Sequence, residues 1–308
     1  MKKKILLADK LLEEFVSIYS KYYSIDTLWN SDIRNIDYKK YDALVASGLF
    51  KISPSLIKKL SNIKVISLFA VGYDNVNLDD CKKKNITVTN TPDVLTTDVA
   101  DLALTLLLSI SRDIFEGHKY ILDNNWIKKG PMELTDSVCL KKVGVVGLGK
   151  IGKEFAKKAE AFSMEVSYFG PRKKNIKYRY FNNLEKMVGS IDYLVITCTG
   201  GEKTHNLINA KILNKMKKSS YLINVSRGSV VDEKALLYAL KNKKIKGAAL
   251  DVFLNEPRIN PLYKKLKNVI LHPHHSSGTY ETRKAMAQLS CLNLVNFFKS
   301  GKPLHKVI

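Results

Sequence analysis

The sequence is poor in cysteine, in long apolar runs and in arginine, and each shortage argues against a class of protein. Its four cysteines lie far apart and form no CxxC pair, which argues against a disulfide framework or a cysteine zinc site and favours a reducing, cytoplasmic location. No apolar stretch approaches the roughly 20 residues of a membrane span. The basic start at Met1–Lys4 leads into a short apolar run that ends at Asp9, so we expect neither a signal peptide nor a membrane partner.

The shortage of arginine decides how the positive charge is interpreted. The formal net charge is +22, a balance that can indicate a nucleic-acid partner. Nearly all of the excess is lysine scattered along the chain, which is typical of a solvated surface, whereas phosphates and bases are bound best by the planar fork of arginine. We therefore expect no nucleic-acid partner. The arginines lie at positions 34, 112, 172, 179, 227, 258 and 283.

A glycine-rich stretch near the middle of the chain carries the strongest functional signal. The apolar run Val143–Val146 predicts a buried strand, and apolar residues at helical spacing follow residue 152. Between them lies Gly147-Leu148-Gly149-Lys150-Ile151-Gly152, a GxGxxG motif in the strand–turn–helix context that indicates a dinucleotide site. Gly147 allows the tight turn, Gly149 lets the backbone approach a pyrophosphate, and Gly152 lets the helix pack on the strand. Since the helix N-terminus would face the phosphates, we expect all six residues to bind the cofactor.

The end of the next strand bears on which dinucleotide is bound. NAD enzymes carry Asp or Glu about 20 residues after the first glycine, where it binds the ribose hydroxyls. Here the expected strand Glu165–Phe169 runs into Gly170-Pro171-Arg172-Lys173 without an acidic residue. Arg172 offers a planar fork for a 2′-phosphate, although a solvated basic run is the plainer alternative. We expect these four residues to bind the cofactor, with NADP(H) preferred and NAD(H) possible.

Short apolar strands alternate with helices over most of the chain, which predicts an α/β fold with parallel sheets. A chain of this length is long enough to form two domains, each with its own core. The expected strands span residues 5–8, 41–47, 64–69, 86–89, 165–169, 191–197, 221–224, 247–250 and 269–271. The clearest helices span residues 11–23, 54–60, 209–216, 232–242 and 279–299.

Two further segments suggest contact surfaces. Thr97–Ser111 is a long and very apolar helix, which we expect to lie centrally between domains or in a subunit interface. Trp126 follows in a polar stretch that we expect to be a loop, where an exposed aromatic side chain indicates a contact surface.

Polar residues follow several strands, at the sheet edge where open α/β folds bind ligands. The backbone N–H groups of Val71 and Gly72 can hold a carboxylate, with a plain turn as the alternative. Arg227 either pairs with a structural carboxylate or binds a ligand. Asp251 can accept a hydrogen bond from a carboxamide, and Glu256 is either a partner for a catalytic group or a solvated loop acid.

A dinucleotide enzyme of this size most often moves a hydride, and reduction of a ketone also requires a proton donor. The candidates are His272, His274 and His275, which follow the last strand. With Glu256 nearby, one imidazole can stay protonated near neutral pH, but periodicity does not choose among the three. The cluster also resembles a metal site. Because no carboxylate or cysteine lies at ligand spacing, we expect no metal.

In this order, the motifs resemble those of the D-isomer-specific 2-hydroxyacid dehydrogenases over nearly the whole chain. The matching stretches are residues 71–74, 88–96, 99–103, 147–152, 225–228, 251–253, 256–257, 273–274 and 277–279. Residues 281–283 and 167–169 are most similar to the hydroxypyruvate/glyoxylate and hydroxyphenylpyruvate reductases of this family. Two places depart from the family pattern: His275 and Ser276 replace a more usual aliphatic residue and glycine, and residues 197–201 lack the usual proline.

The resemblance implies a role for each candidate. Arg227 would bind the carboxylate and carbonyl of the substrate, His274 would be the proton donor, and Glu256 would orient His274. We count Val71 and Gly72 among the substrate-binding residues. Val225 and Asp251 complete the expected cofactor-binding set.

The resemblance also implies an architecture. We expect two Rossmann-like or flavodoxin-like parallel-sheet domains, with the cofactor domain (residues 97–282) inserted in the substrate domain (residues 1–96 and 283–308). The family's usual dimer is built around helices like Thr97–Ser111, so we expect a homodimer. In some reductases of the family, a tryptophan like Trp126 reaches the partner's active site.

The sequence therefore predicts NADPH-dependent reduction of a small 2-oxo acid, such as hydroxypyruvate, glyoxylate or an aryl pyruvate, to the D-2-hydroxy acid. One alternative is a corepressor-like protein that senses a dinucleotide and binds partners, but a sensor needs no proton donor. Another is formate dehydrogenase, whose pattern would place Gln where Glu256 stands.

Overall fold

The computed structural model describes residues 2–30 and 36–308, so Arg34 lies outside the described residues. Its strands are β1 (Lys4–Leu7), β2 (Ser24–Thr27), β3 (Ala43–Ser47), β4 (Val65–Phe69), β5 (Thr87–Thr89), β6 (Lys142–Val146), β7 (Glu165–Phe169), β8 (Arg179–Phe181), β9 (Tyr193–Ile196), β10 (Tyr221–Asn224), β11 (Gly247–Leu250) and β12 (Val269–Leu271). Its α-helices are α1 (Val16–Ser20), α2 (Pro54–Lys59), α3 (Leu78–Lys83), α4 (Thr96–Ser111), α5 (Ile114–Leu122), α6 (Asn125–Lys129), α7 (Lys150–Ala161), α8 (Leu184–Val188), α9 (Ala210–Lys215), α10 (Glu233–Lys241) and α11 (Tyr280–Ser300). Of the helices in this described part, none combines the length and the apolar character needed to cross a membrane.

The chain forms two compact units, each built on its own parallel sheet. The first consists of Met1–Leu95 with Ser277–Ile308, and the second is Thr96–Ser276. The sequence prediction placed these divisions at 96/97 and 282/283. The predicted fold class, an α/β chain with two parallel-sheet domains and one inserted in the other, is confirmed.

The sheet of the first unit has the strand order β2-β1-β3-β4-β5. Its central strands β3 and β4 are buried along their whole length, which explains their continuous apolar sequence. The last helix, α11, packs against β4, and the buried Ser67 hydroxyl donates to the Ser290 carbonyl oxygen at 3.0 Å. Residues 305–308 run antiparallel beside β5, where the Val307 N–H donates to the Val88 carbonyl oxygen at 2.8 Å.

The sheet of the second unit has the strand order β12-β11-β10-β9-β6-β7-β8. From β6 the chain first adds strands on one side and then returns to add β9 on the other. In an open parallel sheet, such a reversal creates a crevice at the carboxyl ends of the two strands, where ligands bind. The residues that follow β6 and β9 are therefore the first place to look for a site.

Several strands lie where the sequence predicts them, because short segments rich in apolar residues are clear in the sequence. The bounds of β7, β10, β11 and β12 agree with the prediction. The short strands β2 and β8 were not predicted, since each lies at a sheet edge and has no continuous apolar run.

Two predictions about helices are wrong. Instead of one helix over residues 11–23, a 3₁₀-helix at Lys10–Phe15 precedes the short α1, because the buried Leu12 and Phe15 lie three residues apart and face the core in a three-residue turn. The segment around Trp126 is not a loop, since α6 contains Trp126 and follows α5. No residue of α5 or α6 is buried. The two helices therefore do not contribute to the core, which is where sequence periodicity identifies helices best.

The apolar helix α4 covers the sheet of its own unit. Its side chains Val99, Ala103, Leu107 and Ile110 are buried, and the helix packs against α7, β10 and β11. Most of its apolar surface is therefore used within the second unit. The core of the second unit therefore explains much of the apolar sequence of this helix, and its place in a subunit interface stays a prediction.

Candidate active site

The glycine loop after β6 has the geometry that its motif requires. Gly147 has φ of 95°, and a Cβ there would lie 2.5 Å from the Cα of Cys198, the second residue after β9. A Cβ at Gly152 would lie 2.4 Å from the Gly147 carbonyl oxygen. A Cβ at Gly149 would meet nothing within 4 Å. The first and last glycines thus allow close packing, whereas Gly149 leaves open space over the loop, which is what a pyrophosphate needs.

The start of α7 supplies the donors for that space. Gly149 caps the helix without a side-chain hydrogen bond, and α7 begins at Lys150, followed by Ile151. The N–H groups of a first helical turn have no partner within the helix and favour a phosphate. Leu148 is 2% exposed, so its side chain belongs to the core and its contribution to a site would come from the backbone. Burial raises the pKa of the neighbouring Cys198 thiol to about 11, so the thiol is neutral at physiological pH.

The loop after β7 is braced by two tyrosines that sequence reasoning missed. The Lys174 N–H donates to the Tyr168 hydroxyl at 2.7 Å, and the Tyr180 hydroxyl donates to the Gly170 carbonyl oxygen at 3.1 Å. The two rings contact each other, with centroids 5.3 Å apart. Between these anchor points the loop presents exposed residues, namely Pro171, Arg172 and Lys173. The available signal was a tyrosine at the second-to-last position of β7 and of β8, which the strand pairing brings opposite each other.

Asn224, the last residue of β10, shapes the loop that carries Arg227. This side chain is 1% exposed, and its Oδ1 accepts hydrogen bonds from the N–H and the hydroxyl of Ser226 at 3.0 and 2.9 Å. Its Nδ2 donates to the Arg227 carbonyl oxygen at 3.0 Å. The Arg227 guanidinium donates through Nη1 to the Ser226 carbonyl oxygen at 2.8 Å. Val225 is buried between Asn224 and this loop.

Glu256 and His274 form a hydrogen-bonded pair. The His274 Nδ1 lies 2.5 Å from Glu256 Oε2, and the other carboxylate oxygen accepts the Phe253 N–H at 2.7 Å. Because a carboxylate only accepts, Nδ1 carries the proton of this bond and Nε2 is left to exchange a proton with a ligand. Both side chains are partly exposed, at 23% for His274 and 21% for Glu256. The pair therefore has the arrangement of a proton donor oriented by a carboxylate.

A second histidine–carboxylate pair lies in the same segment. The His272 Nδ1 lies 2.6 Å from Oδ1 of Asp251, a residue with no exposed surface. The same carboxylate accepts the N–H of His275 at 2.8 Å and that of Ser276 at 3.2 Å. Within the described ranges, no cluster of three or more His, Cys, Asp or Glu side chains is arranged to hold a metal ion.

The predicted substrate loop lies in the first unit, after β4. Val71 and Gly72 are half-buried, and the Asn90 side chain donates to the Val71 carbonyl oxygen at 2.9 Å. A cavity of about 480 Å³ lies in the same unit, at the carboxyl ends of β1 and β3. Its lining residues are Asp9, Lys10, Leu11, Ser47, Leu49 and Phe50.

Comparison with known proteins agrees with the motifs. The family model for the NAD-binding domain of the D-isomer specific 2-hydroxyacid dehydrogenases matches residues 104–276. The chain is 39% identical to glyoxylate/hydroxypyruvate reductase A of Arabidopsis thaliana over 92% of each protein. It is 43% identical to hydroxyphenylpyruvate reductase of Plectranthus scutellarioides over 85% of this chain and 83% of that protein.

A solved structure is similar over the full length. The NADPH-dependent glyoxylate/hydroxypyruvate reductase of Sinorhizobium meliloti, in complex with NADP and malonate, has a TM-score of 0.94 and 32% identity, covering 100% of this chain and 97% of that one. The chain thus belongs to the D-isomer specific 2-hydroxyacid dehydrogenase family, and it is an NAD(P)-dependent oxidoreductase acting on CH–OH groups.

Proposed function

We propose that the protein reduces a small 2-oxo acid, such as hydroxypyruvate, glyoxylate or an aryl pyruvate, to the D-2-hydroxy acid, with NADPH as the preferred reductant. The observation that carries the proposal is the Glu256–His274 pair, with its 2.5 Å hydrogen bond. The names of the relatives support the substrate class, since they include glyoxylate/hydroxypyruvate and hydroxyphenylpyruvate reductases.

In the proposed reaction, the bound dinucleotide supplies a hydride to the carbonyl carbon. His274 gives its Nε2 proton to the carbonyl oxygen, so that the C=O bond becomes a CH–OH group, and the imidazole then regains a proton from water. Glu256 accepts the Nδ1–H hydrogen bond and thereby orients the ring, which leaves Nε2 available for the transfer. Its backbone tie to Phe253 prevents the carboxylate from turning away.

Arg227 has the proposed task of holding the substrate. A guanidinium can bind the carboxylate and the carbonyl oxygen of a 2-oxo acid together, and it polarises the carbonyl as negative charge develops. The N–H groups of Val71 and Gly72 are the proposed second contact with the carboxylate.

The cofactor would be held by the glycine loop, by Val225 and Asp251, and by the loop of residues 170–173. The open space at Gly149 and the start of α7 fit a pyrophosphate. The exposed Arg172, in a loop without an acidic residue, supports NADP(H) over NAD(H). We also propose a cytoplasmic location, since all four cysteines are free thiols.

A homodimer is the proposed assembly, on the basis of the apolar Thr97–Ser111 segment and of Trp126. Large apolar side chains that are more than half exposed follow α4 on a continuous stretch of chain. They are Ile114, Phe115, Ile121, Leu122, Trp126, Ile127 and Leu134. Apolar exposure on this scale is typical of an interface, which supports a contact that includes α5 and α6.

One assay tests the proposed function. Purified protein is incubated with hydroxypyruvate, glyoxylate and phenylpyruvate in turn, with NADPH or NADH, and cofactor oxidation is followed by absorbance. Turnover of at least one acid is expected, with a higher kcat/KM for NADPH. A protein that binds NADPH but oxidises it with none of these acids would instead behave as the corepressor-like alternative, which the names of the relatives do not favour.

A further inference from the structure

We propose that His272 is a positioning residue for His274 and that it acts through the buried carboxylate of Asp251. The inference rests on the proposed function, in which His274 is the proton donor. His272 Nδ1 donates to Asp251 Oδ1 at 2.6 Å. The His272 side chain is 31% exposed, whereas the Asp251 side chain is fully buried.

Asp251 holds the segment that contains His274 at several points. Its carbonyl oxygen accepts the His274 N–H at 2.8 Å. Its carboxylate accepts the N–H groups of His275 and Ser276, the two residues that follow. One buried residue, directly after β11, thus fixes the backbone at His274 and at the two residues that follow it.

The backbone at His274 needs to be held. Its φ is 48°, in the left-handed region that non-glycine residues adopt only when their surroundings impose it. This conformation directs the His274 ring to Glu256, 2.5 Å away. If the hydrogen bonds around Asp251 weaken, the strained turn can relax and the ring loses its alignment with Glu256.

His272 contributes a side-chain donor to this arrangement. A buried carboxylate is destabilised when an oxygen loses its hydrogen-bond partner. Loss of the His272 donor would leave Asp251 Oδ1 with the His275 N–H alone and would favour rotation of the carboxylate, which weakens the bonds to His275 and Ser276. The effect of His272 on the reaction is therefore indirect, through the geometry of His274.

Two variants of His272 distinguish the loss of its hydrogen-bond donor from the change in side-chain size. His272→Leu removes the donor and keeps an apolar side chain, while His272→Asn places an amide N–H near the position of Nδ1. For His272→Leu we expect kcat to fall about 10- to 100-fold, with little change in the KM for the 2-oxo acid. His272→Asn is expected to recover most of the lost kcat. Wild-type kcat in His272→Leu, or equal losses in both variants, would overturn the inference.

A double variant tests the route of the effect. In a His274→Ala background, His272→Leu should cause no further loss of kcat, because the residue that it positions is absent. A further loss as large as in the wild-type background would show that His272 acts elsewhere.

A spectroscopic measurement tests the positioning role of His272 without an activity assay. Proton NMR of the intact protein can detect the hydrogen-bonded Nδ1 proton of His274, assigned by its loss in His274→Ala. We expect this resonance to shift or broaden in His272→Leu and to stay unchanged in His118→Leu, an exposed control. If the wild-type protein reduced no 2-oxo acid, the proposed function would fail while this measurement still decided the positioning role. An unchanged His274 resonance in His272→Leu would refute that role.

Discussion

Gly228 lies so close to Phe253 that no side chain fits between them. A Cβ at residue 228 would be 2.0 Å from the Phe253 carbonyl carbon and 2.1 Å from its oxygen. Gly228 directly follows Arg227, and Phe253 donates its N–H to Glu256. The loop with the proposed substrate-binding residue and the loop with the carboxylate of the proposed proton donor are therefore fixed to each other by backbone contact.

Gly228→Ala should separate these two loops. We expect kcat/KM to fall by about 100-fold and the free energy of unfolding to decrease by about 1–3 kcal/mol from overpacking. Steady-state kinetics and calorimetry measure the two effects. Gly189→Ala is the control, because its Cβ would have its nearest neighbour at 3.6 Å. Wild-type kinetics in Gly228→Ala would mean that the spacing of the loops is unimportant for the reaction.

His274→Ala should remove most of the activity. A general acid typically contributes about 10²–10⁴-fold, and the loss should appear in kcat. His275→Ala is the matched control and should retain substantial activity, because the structure pairs His274 with Glu256. Should His275→Ala prove to be the inactive variant, the assignment of the proton donor would be wrong.

Arg227→Lys should lower kcat/KM strongly although the charge is kept. Lysine cannot reproduce the planar, bidentate geometry with which a guanidinium holds a carboxylate and a carbonyl oxygen. Steady-state kinetics with the best 2-oxo acid, supported by a circular dichroism spectrum to show intact folding, checks this. Near-normal kinetics would show that the guanidinium is peripheral.

The preference for NADPH should depend on Arg172 and on the tyrosine that braces its loop. Arg172→Ala is expected to narrow the gap between NADPH and NADH, chiefly through a higher KM for NADPH. Tyr168→Phe should act in the same direction, since it removes the hydroxyl that accepts the Lys174 N–H. Lys241→Ala, an exposed lysine at the end of α10, controls for a general charge effect. Equal use of both cofactors by the unmodified protein would contradict the expected preference.

The exposed apolar side chains of α6 should matter for assembly. Ile127 is 86% exposed, so Ile127→Asp costs little within the chain but would place a charge in the proposed dimer contact. Light scattering should report a dimer for the wild-type protein and a larger monomer fraction for the variant. Leu140→Asp is the control, at 82% exposure outside α5 and α6. A monomeric wild-type protein at micromolar concentration would rule out the proposed assembly.

The parts of the fold that depend on local sequence were predictable. The strands β10, β11 and β12 are short and largely apolar segments, and the glycine motif needs only its neighbours along the chain for its context. The exposed helix α5 was not predictable in this way, since its apolar residues face outward. Periodicity predicts a helix most securely when the apolar face is buried.

The groups that support the site could not be predicted, because their contacts depend on strand register. Asp251 ends up beside His272 because β11 and β12 pair with Leu250 opposite Leu271. Tyr168 and Tyr180 likewise meet through the pairing of β7 and β8. Sequence spacing indicates that such residues follow strands, but it does not indicate which side chains become neighbours.

The return of α11 to the first sheet has a consequence for the order of folding. Ser67 and Ser290 are 223 positions apart and must meet before the first unit is complete, and contacts over long chain separations form slowly. The second unit is one contiguous stretch, Thr96–Ser276, with no such requirement. We expect the amides of β6, β9 and β10 to gain protection before those of β4 during refolding, as measured by pulsed hydrogen exchange. Simultaneous protection of both sheets would contradict this order. The N-terminal sheet of this chain would thus become stable only after the C-terminal helix α11 has packed against it.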